Sequence, residues 1–213
     1  WYMKILLLKA RDQIRENCQG RHVVSYGYEK GRSASSVVAL IRQALRTATM
    51  WRNRQLLVIS IDVATCFDQI RHVFMALGLH QRGADPATVR AMMKEYVGTR
   101  MVVSIKDSDW SDQMDFKRGT KTGGVEGPDL LNAMWEAFLG GLMQKWRKER
   151  RGWTWKDFTD LGKRGGEGVR KRQIPRKDFI SHIVWADNWF LFAKTIGEAQ
   201  TMIDELTEAM ASL

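Results

Sequence analysis

A short apolar run that ends on an acid constrains this chain more than any other feature. Residues 56–61 read Leu-Leu-Val-Ile-Ser-Ile and lead directly into Asp62. A nearly continuous apolar run of that length is expected to form a strand covered on both faces. A second apolar stretch, residues 179–192, is interrupted by Ser181, His182 and, at its centre, Asp187-Asn188. It reads as two strands turned by Ala186-Asp187-Asn188. Asp62 and Asp187 lie far apart in the chain, yet neighbouring strands of one sheet would bring them together. A buried carboxylate needs a partner, because an uncompensated charge in low dielectric is costly. Two readings stand side by side on these residues: the acids converge on a shared divalent cation, or they cap turns and pair with Lys or Arg.

Helical and extended patterns alternate around these strands. Residues 1–17 repeat apolar and basic side chains at helical spacing up to Cys18-Gln19-Gly20, and residues 23–33 are extended and punctuated by glycine. Ser33, Ser35 and Ser36 offer N-caps to a helix running to about residue 52, with Val37, Val38, Ile41, Ala44, Leu45 and Ala48 three and four apart. Helices are expected over residues 69–77 and 86–97, the second capped by Asp85 with Pro86 at its first position. Residues 100–106 and 113–117 suit the strands of a hairpin. A glycine-rich loop over 119–127 precedes a helix from Pro128 to about Trp146, and an amphipathic helix fills 197–213. The mixture predicts an α+β fold.

Charge and composition narrow the partners. The chain has 213 residues, 44% of them hydrophobic, enough for one sizeable core or two lobes sharing an interface. With 34 Lys and Arg against 24 Asp and Glu it carries a net charge of +10, which attracts polyanions, nucleic acid above all. Residues 145–178 hold 13 of the basic residues against 5 acidic ones, interleaved with Trp146, Trp153 and Trp155. That stretch reads either as a nucleic-acid-binding insertion whose tryptophans stack on bases or as a solvated loop. No run reaches the roughly 18 to 20 apolar residues that a membrane helix needs. Cys18 and Cys66 form no metal-ligand or disulfide spacing, which fits an intracellular setting, nucleus or cytoplasm.

Four motifs, in order, carry a family resemblance. Ser60-Ile61-Asp62-Val63-Ala64-Thr65-Cys66-Phe67-Asp68 resembles the first catalytic motif of reverse transcriptases, an acid followed five residues later by Phe-Asp. Arg118-Gly119-Thr120-Lys121-Thr122-Gly123-Gly124-Val125-Glu126-Gly127-Pro128, with Leu130-Leu131-Asn132 after it, resembles the second. Val184-Trp185-Ala186-Asp187-Asn188 is similar to the third, usually Tyr-Ala-Asp-Asp in a β-hairpin. Tyr26-Gly27-Tyr28-Glu29-Lys30-Gly31-Arg32-Ser33 resembles the fingers motif of non-long-terminal-repeat retroelement and group II intron enzymes.

The resemblance implies a right-hand polymerase fingers–palm module, its small antiparallel palm sheet backed by helices and its thumb absent. Residues 1–55 would belong to the fingers. Residues 56–213 would form the palm, with an interleaved fingers segment at about 80–117 and the basic insertion at about 145–178. The implied function is RNA-directed DNA synthesis: a primer 3′-hydroxyl attacks a dNTP at a site holding two Mg2+ ions. The catalytic acids would be Asp62 and Asp187, with the Val63 carbonyl and Asn188 completing the metal ligands. Phe67 would sit under the sugar, Lys30 and Arg32 would approach the triphosphate, and Gly123, Gly124 and Asn132 would line the nucleotide and template. Implied partners are an RNA template, a DNA primer, dNTP and the remainder of a longer element-encoded chain, with no membrane.

The sequence departs from the family at named places. Asn188 replaces the second aspartate of the third motif, Thr122 a glutamine of the second, and Val125-Glu126-Gly127 its Pro-Leu-Ser, which puts an acid in a loop expected to face nucleic acid. These changes carry an alternative reading, an inactive retroelement relic that binds RNA or DNA through its basic surface.

Overall fold

The computed structural model describes residues 2–16, 22–29, 31–50, 55–105, 109–121, 123–154 and 179–211. In chain order the elements are α1 (Tyr2–Glu16), α2 (Ala34–Met50), β1 (Leu57–Asp62), α3 (Cys66–Gln69), α4 (His72–Gln81) and α5 (Pro86–Met93). Four two-residue strands follow, β2 (Arg100–Met101), β3 (Ser104–Ile105), β4 (Asp109–Trp110) and β5 (Met114–Asp115). The rest are α6 (Gly127–Glu149), β6 (Trp153–Thr154), β7 (Phe179–Ile180), β8 (His182–Trp185), β9 (Asn188–Ala193) and α7 (Ile196–Ala211). The small antiparallel sheets among helices make this an α+β fold.

The central sheet has the order β1-β9-β8, antiparallel throughout. Its strands are mostly apolar because both faces are covered over β8, β9 and the start of β1, whereas Ser60 and Asp62 at the far end of β1 are exposed. Leu57, Ile59 and Ile61 of β1 and Trp189, Leu191 and Ala193 of β9 pack into the larger core with α4, α6 and α7. Val58, Phe190, Phe192 and Ile183 face the other way, onto Val37, Ala44 and Ala48 of α2. A strand flanked by two apolar layers cannot slip by one residue without exchanging its layers, so the register is fixed by packing.

Helix α6 is the backbone of the larger core, with Leu130, Leu131, Met134, Trp135, Leu139 and Trp146 all buried. It crosses α4 at Gly78, where a Cβ would fall 2.0 Å from the carbonyl oxygen of Ala133. At its far end Glu205 of α7 accepts hydrogen bonds from Trp146 Nε1 (2.6 Å), Lys145 Nζ (2.9 Å) and Arg151 Nη1 (2.8 Å). Burial alone would raise the Glu205 carboxyl, but these donors together hold it below its ordinary range.

Several sequence expectations need correction. The helix expected over 69–77 begins later, at His72, because Ile70 is extended (φ −63°, ψ 121°) and separates it from the short α3 that closes at Gln69. The helix opened by the Asp85 cap, whose carboxylate accepts from the amides of Ala87 and Thr88, ends at Met93 rather than 97. The basic stretch starts inside α6, and Trp146 and Trp153 are 0% and 2% exposed, core residues rather than platforms for bases. Residues 155–178, including Trp155, lie outside the described residues. Among the described residues no helix is long and apolar enough to cross a membrane.

The crossing at Gly78 gives a test of this packing. Gly78→Ala forces main chain against main chain and should destabilise the fold by about 3 kcal/mol, lowering the melting temperature by roughly 6 to 12 °C. Gly141→Ala, where an added Cβ meets nothing within 4 Å, should leave it unchanged or slightly higher. Equal melting temperatures for the two variants would contradict the α4–α6 contact.

Candidate active site

Asp62, the last residue of β1, pairs across the sheet with Asn188, the first of β9. The chain then turns the other way, and the Val63 amide donates to the Asp187 carbonyl at 3.2 Å. Asp187 itself occupies the two-residue turn between β8 and β9, preceded by Ala186 at φ 57°. A positive φ at a non-glycine residue is strained and persists only where neighbours hold it. Here the Trp135 indole of α6 donates to the Ala186 carbonyl at 3.1 Å. The two acids of the apolar strands therefore converge at one end of the sheet. Asp62 is exposed and Asp187 half-buried, with the Asn188 amide donating to Asp187 Oδ1 at 3.1 Å.

Cys66 lies within the electrostatic reach of both acids. It is buried, and its thiol is pushed up to about 12 by desolvation first and then by the negative charges of Asp187 and Asp62. A thiol so held stays protonated at neutral pH. The available donors are hard oxygens: two carboxylates, the Asn188 amide oxygen and the Val63 carbonyl. That set suits magnesium, which takes one or two carboxylates and completes its shell with water and phosphate oxygens. No three His, Cys, Asp or Glu residues cluster into a ready-made metal cage among the described residues.

The glycine-rich loop is tied to the same corner. The Thr120 amide donates to the Phe67 carbonyl at 2.9 Å and the Gly119 amide to the Ile70 carbonyl at 2.7 Å. Phe67 is half-buried against the larger core. Gly123 sits in an exposed turn at φ 81°, and a Cβ on Gly124 would fall 2.8 Å from Glu126 Oε1. Glu126 does not face nucleic acid as the sequence suggested. It is 3% exposed and accepts from the Tyr96 hydroxyl at 2.7 Å, and burial first, then this bond, raises the Tyr96 phenol above its ordinary value.

The extended segment before α2 lies along β8. Ser25 bridges Val184, and the Tyr26 amide donates to the Val184 carbonyl at 2.7 Å. Gly27 is required where the segment meets the hairpin turn, since a Cβ there would lie 2.4 Å from the Ala186 amide nitrogen. Asn132, 3% exposed, commits both ends of its amide: Oδ1 accepts from Ser25 Oγ at 2.6 Å and Nδ2 donates to the Gly27 carbonyl at 3.0 Å. Arg32 is exposed, donates to the Ser25 carbonyl and lies 4.4 Å over the Tyr26 ring. Lys30 lies outside the described residues, as does Thr122.

These contacts bring parts of all four motifs onto one end of one sheet. The sequence model of the reverse transcriptase (RNA-dependent DNA polymerase) family matches residues 4–213. The chain belongs to the reverse transcriptase family. No curated protein matched the chain. Family membership implies nucleic-acid template and primer and nucleotide substrates, and reverse transcriptase domains in general use divalent metals.

Two side chains that the motifs did not single out also hold the site together. Trp135 secures the turn, and His182 of β8 accepts at Nε2 from the Val24 amide at 2.9 Å while its Nδ1 faces Ser181 Oγ at 2.9 Å. Burial lowers the His182 imidazole from its ordinary 6.5 to about 3. Because the unfolded chain takes up this proton first, stability is full above about pH 6.5 and is lost as pH falls from there toward 3. Between pH 7 and 5.5 urea unfolding should show a loss of about 1 kcal/mol in the wild type that His182→Gln lacks. The same pH slope in both would contradict the neutral, buried imidazole.

Proposed function

We propose that this chain is the fingers–palm portion of an RNA-directed DNA polymerase of the non-long-terminal-repeat or group II intron type. The observation that carries the reading is the pairing of Asp62 with Asn188, which sets the Asp187 turn beside the end of β1. Residues 1–55 and about 80–117 form the fingers and the rest the palm, with the basic residues of 145–178 as a nucleic-acid contact. Asp62 and Asp187 are the ligands for two magnesium ions, joined by the Val63 carbonyl and the Asn188 amide oxygen. Bound there, magnesium would acidify the primer 3′-hydroxyl and offset the charge of the triphosphate and of the leaving pyrophosphate.

The protein's own groups orient the reactants. Arg32, anchored on Ser25 and Tyr26, and Lys30 approach the triphosphate from the fingers side. Phe67 lies under the sugar and discriminates against a 2′-hydroxyl. Gly123 and Gly124 let the loop main chain approach nucleotide and template. Asn132 acts through Ser25 and Gly27, since both ends of its amide are already engaged by them.

One observation favours the alternative, an inactive relic that only binds nucleic acid. Asn188 stands in place of an acid and occupies one oxygen of Asp187. Primer extension separates the two. With an RNA template, a DNA primer, dNTPs and magnesium, the chain should extend the primer, and Asp187→Ala should reduce the rate by at least about a hundredfold. Salt-sensitive RNA binding without extension in the wild type would establish the relic instead.

A further inference from the structure

Helix α6 carries a buried acid that neither the motifs nor the proposed chemistry uses. Glu136 is 9% exposed, and its two oxygens accept from consecutive main-chain amides: Oε1 from His22 at 2.8 Å and Oε2 from Val23 at 2.9 Å. A carboxylate engaged at both oxygens fixes the orientation of the chain as well as its position. The next residues continue the attachment. The Val24 amide goes to His182, and the Val24 carbonyl accepts from the Val184 amide at 3.0 Å. Ser25 and Gly27 then meet Asn132, and Arg32 folds back onto the Ser25 carbonyl.

Asn132, Glu136 and Gly140 lie four residues apart and so share one stripe of α6. Gly140 belongs to that stripe because a Cβ there would stand 3.1 Å from Glu136 Oε1 and 4.0 Å from His22 Cδ2. The stripe reads the main chain of residues 22–27, while Trp135, on the same helix, holds the Ala186 turn. One rigid helix thus sets the distance between the Asp187 turn and the anchor of Arg32.

We infer that Glu136 is a positioning residue that places the Tyr26 and Arg32 end of this segment for the incoming deoxynucleoside triphosphate. The inference rests on the polymerase reading above and adds to it the group through which α6 governs triphosphate binding. Glutamine at 136 can accept only one of the two amides and turns a donor toward the other, leaving a buried N–H unpaired.

The test uses Glu136→Gln and, as a second variant, Gly140→Ala, which crowds Oε1 while improving helix propensity. Amide hydrogen exchange at His22 and Val23 reads the attachment without substrate, and primer extension reads the dNTP KM against kcat. Glu136→Gln should speed exchange at one or both amides by about tenfold and raise KM by about tenfold or more with a smaller change in kcat. Gly140→Ala should move both in the same direction with an undiminished melting temperature. Glu136→Gln added to Arg32→Ala should raise KM no further than Arg32→Ala alone. Faster exchange with an unchanged KM would reduce Glu136 to a structural role and overturn the inference, as would unchanged exchange. A wild-type chain that extends no primer contradicts the polymerase reading, whereas active wild type and Glu136→Gln sharing one KM contradict only the role of Glu136.

Discussion

The pairing of β1 with β9 is the constraint on which the rest depends. It sets Asp62 opposite Asn188 and lets the Val63 amide reach the Asp187 carbonyl, so one ladder end presents two acids from distant parts of the chain. Its register is held from both sides. Ile59 and Ile61 must enter the core built on α6, and Val58 must enter the core built on α2. A slip of one residue would reverse those assignments and turn Asp62 to the opposite face. The chemistry at the tip is therefore specified by apolar packing well below it.

Around that tip, polar groups are spent on holding irregular main chain. The residue 22–27 segment has little regular structure, yet its amides and carbonyls meet Glu136, His182, Asn132 and Val184. Buried main-chain groups left without such partners would each cost about 1–3 kcal/mol. Side chains of α6 and β8 thus do for this segment what a neighbouring strand does for β1. The electrostatics have two scales. The whole chain is +10 and draws polyanions, while Asp62 and Asp187 place two carboxylates together at the end of the sheet and add to the burial that pushes the Cys66 thiol up to about 12. A polyanionic substrate that brings divalent cations with it matches both.

Much of this was legible in the sequence, and what was not has physical causes. β1 and the β8–β9 hairpin were readable because strands covered on both faces are continuously apolar, which makes Asp62 and Asp187 conspicuous. The Asp85 cap was readable because capping is local. The break at Ile70 was not, since the Phe67 and Ile70 carbonyls accept from the distant Thr120 and Gly119 amides instead of continuing a helix. Glu126 looked like a loop acid because its partner, Tyr96, is brought to it only by the fold. Trp146 and Trp153 sit in a basic composition that masks their burial, although Trp146 keeps the helical spacing of Leu139 and Met143. The stripe of Asn132 and Glu136 did leave a signal, two polar residues four apart in an apolar helix, but nothing in sequence names the main chain they hold.

The most direct test of the account is whether Asp62 and Asp187 bind cation as one site. Titration of Mn2+ followed by electron paramagnetic resonance, with primer-template and dNTP present, can compare the wild type, Asp62→Asn, Asp187→Asn and the double variant. Each single change should weaken binding by at least about tenfold, and the double variant should be little worse than either. Full binding in both single variants, or losses that simply add, would mean that the sheet brings the two acids together without a shared cation.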